Sequence, residues 1–442
     1  MTAIAFEAHR NHVAVSYYPT FEAREGAFND SVGRLVPSRL AGPARFWTDL
    51  TEISQRRLTA DETARVAFIT SNPRDCLAFA TPQQVLIAAC LRTGIDASAI
   101  QGLVRETAEE FGLAVNLYQP LRTLSGGESV KLAMAKAAIA VKSSHRLSVS
   151  SPFSWLSAAN AGLLTQLLDR YTQRCLPVSI FALEEEDVTE PDPSLGNAAV
   201  GFSPVVFSLC LKDVSVRLAT AVALATADPP RVQFSDAAFT LPSPCFLTGD
   251  NGQGKSLMAK LLAGAMVGDG QINVDGAAGG GRPRMIFQDV VTQMLSRTAE
   301  GMLDNVSNDD RTAFGDVYGE IFDACRAGIA GDTGDAMAPS MDDLPEVPTL
   351  LDIKLLLAAQ RLNSETSLLI LDEPDWGLSR RTAAAYVLAV VGAAHRRGIP
   401  ILVISHKTWW TPLARSSLRV TKKMAGGADN RDGFFVRLIK ES

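Results

Sequence analysis

The run Gly249-Asp250-Asn251-Gly252-Gln253-Gly254-Lys255-Ser256 constrains the fold more than any other part of this chain. Its glycines free the backbone to curl until successive N–H groups face one point. That geometry holds only between rigid elements. Upstream, Pro244-Cys245-Phe246-Leu247-Thr248 reads as a short apolar strand, and downstream Leu257 to Leu262 begins a helix. Together, strand, glycine loop and helix N-terminus cradle a phosphate. Lys255 is placed to reach β- and γ-phosphates, and the Ser256 hydroxyl to bind Mg2+.

Such a loop needs a sheet whose other strand ends supply polar groups. Leu368 to Leu371 is a buried apolar strand ending in Asp372 and Glu373, after which Pro374 turns the chain. Asp372 is expected to order Mg2+, and Glu373 to polarise an attacking water as a general base. Two more strand ends carry polar residues: Gln288 after Arg284-Met285-Ile286-Phe287, and His406 after Ile401 to Ser405. Gln288 can reach metal and water. A neutral His406 imidazole can hydrogen-bond a γ-phosphate and Glu373. Ala383 to His395 reads as a helix. Strands alternating with helices imply a parallel sheet, so the fold class is α/β. Segment 263–283 reads as hairpin and loop, and 300–346 as irregular with helical stretches.

A chain of 442 residues suggests two domains. The acidic, proline-bearing stretch Glu184-Glu185-Glu186-Asp187, then Glu190-Pro191-Asp192-Pro193, reads as a solvated linker; it predicts domains at 1–199 and 200–442. Hydrophobic residues make up 47% and charged residues 20%, as in a soluble globular protein. A net charge of −6 without a basic tract gives no nucleic-acid footprint. No stretch reaches the ~18 consecutive apolar residues of a membrane span, and the start shows no apolar leader. A cytoplasmic chain that reaches the inner face of a membrane only through a partner is therefore expected. The six cysteines show no CxxC spacing and read as reduced thiols.

In this order the motifs resemble the ATP-binding-cassette (ABC) ATPases. The resemblance makes Gly249–Ser256 the Walker A loop, Asp372-Glu373 the Walker B acids, Gln288 the Q-loop, Trp376-Gly377-Leu378-Ser379 the D-loop and His406 the switch histidine. It implies ATP and Mg2+ as ligands and ATP hydrolysis as the reaction. It also implies two tandem cassettes, each with a parallel-sheet core, an antiparallel β subdomain and a helical subdomain. The family further requires an LSGGQ-like signature loop, which caps the ATP of the partner cassette. In the second half that slot falls near Val347-Pro348-Thr349-Leu350-Leu351, which has no glycine pair. The loop stands instead in the first half as Leu124-Ser125-Gly126-Gly127-Glu128, ahead of a helix from Ser129 to Ala140.

The rest of the first half reads as a decayed cassette. Its Walker A slot is aligned to Phe28–Leu35, with Arg34 in place of the lysine. Its Q-loop slot has Ser71, its Walker B slot has Ser150 and Ser151, and its switch slot near Ala182-Leu183-Glu184 has no histidine. One composite site is expected: Gly249 to Ser256, Gln288, Asp372, Glu373 and His406, capped by Ser125, Gly126, Gly127 and Glu128. The stretch Phe287-Gln288-Asp289 with Gln293, and Asn72-Pro73-Arg74-Asp75 in the first half, look like the ATPases of energy-coupling-factor importers. That resemblance implies a membrane-embedded permease or coupling subunit as partner. The alternative is a soluble tandem ABC ATPase that remodels a protein, ribosome or nucleic-acid complex. No aromatic lies between Phe207 and Phe234, so the usual adenine-stacking residue is unassigned.

Overall fold

A computed structural model describes residues 13–32, 66–70, 77, 79–114, 117–121, 124, 126–152, 158–183, 190–202, 205–217, 231–249, 253–276, 281–288, 290–293, 308–330, 349–424 and 434–441. These residues fall into two compact units, one through Leu183 and one from Glu190 onward.

In the first unit, β1 (Val13–Tyr18) leads to α1 (Phe21–Ser31), then β2 (Val66–Ile69), α2 (Pro82–Arg92), α3 (Ala97–Glu110), α4 (Gly126–Ala140), β3 (Arg146–Ser150), α5 (Ala158–Thr172) and β4 (Val178–Leu183). The four strands form one parallel sheet in the order β1-β4-β3-β2. Local chemistry sets the helix starts. Thr81 caps α2 by accepting from Gln84 N–H, and Pro82, which has no N–H to lose, opens the helix.

In the second unit, α6 (Pro193–Val200) precedes β5 (Val205–Arg217), β6 (Arg231–Phe234), β7 (Ala237–Ser243) and β8 (Cys245–Thr248). Then come α7 (Lys255–Leu262), β9 (Asp269–Gly276), β10 (Arg282–Ile286), α8 (Asn308–Ala330), α9 (Leu350–Arg361) and β11 (Thr366–Asp372). The chain continues through α10 (Arg380–Arg396), β12 (Ile401–Ile404), β13 (Ser416–Met424) and β14 (Phe434–Glu441). The sheet order is β10-β11-β12-β8-β13-β14-β6-β5-β7, with β9 on β5. Strands β10, β11, β12 and β8 run parallel, and every residue of β11 is buried. A parallel strand covered on both faces is expected to carry a near-continuous apolar run, here Leu368 to Leu371 between polar ends. By contrast β5 alternates buried and exposed residues against antiparallel neighbours, which suits a sheet with one wet face.

Two loosely read segments gain definition here. Within 263–283, Asp269–Gly276 is a strand pairing with β5 over most of its length, and within 300–346 Asn308–Ala330 is one continuous helix of 23 residues. The part of the acidic stretch that the structure describes is also structured. Asp192 N–H donates to the Trp409 carbonyl at 3.3 Å, Arg380 donates to the Glu190 carbonyl at 2.9 Å, and α6 follows directly. Residues 190–202 thus pack with the second unit, earlier in the chain than composition suggests. Among the described residues no helix is long and apolar enough to cross a membrane.

Candidate active site

The phosphate loop leaves β8 at Thr248 and enters α7 at Lys255. Gly249 has φ +138° and Gly254 φ +102°. A Cβ on Gly249 would lie 2.7 Å from the Val420 carbonyl oxygen, so both dihedral and space demand glycine. Lys255 opens α7, is buried, and donates from Nζ to the Gly249 carbonyl at 2.6 Å, which curls it back over the loop. The Gln253 side chain accepts from Lys422 N–H, fastening the loop to β13. Asp250, Asn251 and Gly252 lie outside the described residues.

Parallel register brings the other predicted groups to the same sheet edge. Asp372 ends β11, and Ser256 Oγ donates to its Oδ1 at 3.4 Å. Glu373 follows with φ +47°, its N–H donating to the Ile404 carbonyl at 2.8 Å. That strained conformation turns its carboxylate toward His406, whose Nδ1 is 3.0 Å from Glu373 Oε2. The other ring nitrogen, Nε2, has no hydrogen-bond partner among the described residues. Gln288 is exposed two residues beyond Ile286, which pairs with Leu371.

The two acids differ electrostatically. Burial, and then the neighbouring Glu373 carboxylate, push Asp372 up to about 7, against the Ser256 hydroxyl, Lys260 and Lys255. Glu373 is also raised by burial, but His406, Lys255 and Lys407 outweigh this and hold it below the usual carboxylate range. An ionised Glu373 beside a buried Asp372 carboxyl suits a base next to a metal ligand. The donors Ser256, Asp372 and Gln288 are all oxygen ligands and leave positions for phosphates and water, which fits Mg2+. Among the described residues no cluster of three or more His, Cys, Asp or Glu could hold a metal by itself.

Three residues that motif reading passes over, or gives another meaning, hold this edge in place. Lys354, fully buried on α9, donates from Nζ to the Pro374 carbonyl at 2.9 Å, one residue past Glu373. Arg361, at the end of α9, donates to the Met285 carbonyl at 3.0 Å. Gln293 accepts from Phe287 N–H at 2.8 Å and donates to the same Met285 carbonyl at 3.1 Å. Through these bonds Gln293 clamps the strand that presents Gln288, a purely local role. The sequence signal for Lys354 is a lone charge inside the apolar run Ile353-Lys354-Leu355-Leu356-Leu357.

The two helices that follow the signature slots differ at their N-termini. In the first unit α4 begins at Gly126, inside the Leu124–Glu128 segment rather than after it, so its first turn carries Gly127 and Glu128 and their N–H groups. Ser125 lies outside the described residues. In the second unit α9 is closed by a capping box: Asp352 N–H donates to Thr349 Oγ1 at 3.2 Å, and Asp352 Oδ2 accepts from Thr349 N–H at 2.8 Å. A carboxylate therefore covers the α9 N-terminus, where a phosphate would otherwise bind.

The first-unit sheet has the same strand order as β8-β12-β11-β10, which aligns the decayed positions one by one. Ser151 has φ +48° and donates from N–H to the Phe181 carbonyl at 2.7 Å, reproducing the backbone of Glu373. Ser150 and Ser151 thus stand at the positions of Asp372 and Glu373, as the sequence suggests. The Walker A slot does not hold. Phe28 is fully buried within α1, and only Pro19 and Thr20 separate β1 from α1, against residues 249–254 between β8 and α7. Gly33, Arg34 and Leu35 lie outside the described residues.

The glycine loop between β8 and α7 and the strand ends beside it have the arrangement of a P-loop fold. No family model and no curated protein matches this chain. Among solved structures it is similar to a chain of ribosome-bound archaeal Pelota and ABCE1, at 12% identity over 93% of this chain and 69% of that one, with a TM-score of 0.51. It is also similar to "RNase-L Inhibitor" at 12% identity over 93% and 79%, TM-score 0.46. A third is the archaeal ribosome recycling factor aABCE1 in complex with stalk protein aP1, at 12% identity over 97% and 86%, TM-score 0.48. The chain has the tandem-cassette fold of the ABC ATPases.

Proposed function

We propose that the chain hydrolyses ATP with Mg2+ at one site, built on the second unit. The observation that carries this reading is the Glu373–His406 pair at 3.0 Å beside Asp372 and the Gly249–Ser256 loop. Lys255 and the loop N–H groups hold the phosphates, and Ser256, Asp372 and Gln288 hold the cation. The ionised Glu373 takes a proton from the attacking water. His406 orients Glu373 through Nδ1 and offers Nε2 to the γ-phosphate. Mg2+ would neutralise charge developing on the phosphate oxygens.

A signature loop closes over the nucleotide of the opposite cassette, so the nucleotide of the second unit needs a cap from outside that unit, and the second unit's own slot holds a capping box in place of a glycine pair. We assign the cap to Ser125, Gly126, Gly127 and Glu128 of the first unit, on the strength of the sequence motif and its glycines. Gly127→Glu tests this by steady-state turnover. Loss of turnover with ATP still bound supports the assignment; wild-type turnover removes the first unit from the reaction.

The cycle is proposed to drive a partner. An integral-membrane coupling subunit follows from the likeness around Gln288 and Gln293, although the clamp made by Gln293 accounts for that residue without one. Remodelling of a soluble complex needs no membrane partner. Pull-down from membranes with the Glu373→Gln chain separates them: an integral-membrane protein in the eluate supports the first, and a ribosomal or other soluble assembly the second.

A further inference from the structure

We infer that the first unit takes no nucleotide, because its own Arg24–Glu25 pair occupies the place where phosphate and metal would sit. The inference rests on reading the second unit as the ATP site. Four observations within the first unit carry it.

The phosphate loop is missing. Register pairs Tyr18 with Leu183 and Ser16 with Phe181, while Leu247 pairs with Ile404. Since Phe181 corresponds to Ile404, Tyr18 stands where Gly249 stands. It ends an extended strand and stacks its ring on Phe181 with centroids 6.2 Å apart. A tyrosine there cannot take the φ of Gly249 or open the backbone to an anion.

A cation is already inside. Arg24, on the first turns of α1, is 0% exposed. One of its guanidinium nitrogens donates to Ser151 Oγ, at the position of the general base. Its other terminal nitrogen lies 3.0 Å from Glu25 Oε1.

The metal-ordering position is engaged by an anion. Ser150, which replaces the aspartate, donates from Oγ to Glu25 Oε1 at 3.1 Å. Both serines left by the lost acids are thus bound to an internal ion pair, and Glu25 would face any incoming phosphate with like charge.

The helix is packed down over the site. Phe28 meets Phe181 edge-on with centroids 5.7 Å apart, and Ser31 Oγ lies 2.7 Å from Ser148 Oγ. Admitting a polyphosphate requires parting a fully buried guanidinium from its partly exposed carboxylate and lifting α1, without a glycine loop to offset the loss. In the second unit the nucleotide joins loop, strand end and helix. In the first, Arg24 ties helix α1 to the strand end without any loop, and the unit serves as an unswitched partner.

The test is binding stoichiometry of the full chain with Mg·AMP-PNP, which is not hydrolysed, by equilibrium dialysis or calorimetry. One nucleotide per chain is expected for the wild type and none for Lys255→Ala. Two per chain, or one retained by Lys255→Ala, overturns the inference. No binding by the wild type overturns the reading of the second unit instead, and the one-per-chain stoichiometry with it.

Discussion

Replacing Lys354 by methionine separates support of the fold from support of catalysis. The ammonium is fully buried on α9, donates to the Pro374 carbonyl at 2.9 Å and lies 5.8 Å from the Tyr386 ring centroid. A hydrogen bond to a charged group is worth about 1.5–3 kcal/mol. Against that, removing a buried charge of similar volume is often neutral or stabilising. The net effect on folding is expected within about 1 kcal/mol, a Tm change of roughly 2–4 °C for a domain of this size. Turnover responds differently. Pro374 follows Glu373, so a freed carbonyl lets the catalytic carboxylate drift, and a displacement of about 1 Å costs on the order of 100-fold in rate. The assay is kcat, KM for ATP and Tm on one preparation. The expected result is kcat down about 100-fold with KM and Tm near wild type, partly restored in Lys354→Arg. An unchanged kcat refutes the reasoning. A kcat that falls only in step with Tm makes Lys354 a structural residue.

Gly249→Ala forces a Cβ to 2.7 Å from the Val420 oxygen at φ +138°. With strain of about 1–3 kcal/mol, ATP affinity should fall roughly 5- to 150-fold; wild-type affinity in a fluorescent-nucleotide titration contradicts it. His406→Ala removes the partner of Glu373 and, on the proposed reading, a donor to the γ-phosphate, so kcat should fall about 100- to 1,000-fold. Burial of Glu373 then goes unopposed by the imidazole, and the acid limb of its pH–rate profile should move to higher pH. A limb that stays in place rules out the pairing. Asp372 is raised to about 7, so its protonated form stabilises the fold below the ordinary carboxylate pKa, and that contribution is lost as pH rises through about 7. Mg2+ binds the ionised form, so the rise in Tm on adding Mg2+ with ATP should be small at pH 6 and larger at pH 8. A shift independent of pH counts against Asp372 as the metal ligand.

Much of the second unit is legible in the sequence because its chemistry and its periodicity coincide. The apolar runs ending in Asp372 and His406 are strands, and the glycine loop lies between strand and helix as its mechanism requires. Strand β9 is not legible, since Asp269-Gly-Gln-Ile-Asn-Val-Asp-Gly276 is too polar and glycine-rich to announce itself; pairing with β5 holds it. An eight-residue template misplaces the first-unit Walker A slot because the loop it describes is absent there. The local signal lies earlier: Thr20 follows Pro19 and caps α1, its Oγ1 accepting from Ala23 N–H at 3.2 Å. Ser150 and Ser151 fall where the sequence puts them, since strand ends depend on hydrophobic pattern and not on retained function. Arg24 carries no motif. Its role is visible only once burial puts it beside Ser151.

The central claim is that Glu373 is the base of one ATP-hydrolysing site. Glu373→Gln keeps the shape of the side chain and removes the charge. ATP turnover and ATP affinity measured on this variant, as the full chain, test the claim most directly. The account predicts affinity near wild type with turnover lower by about 100- to 10,000-fold. Wild-type turnover in Glu373→Gln would contradict it.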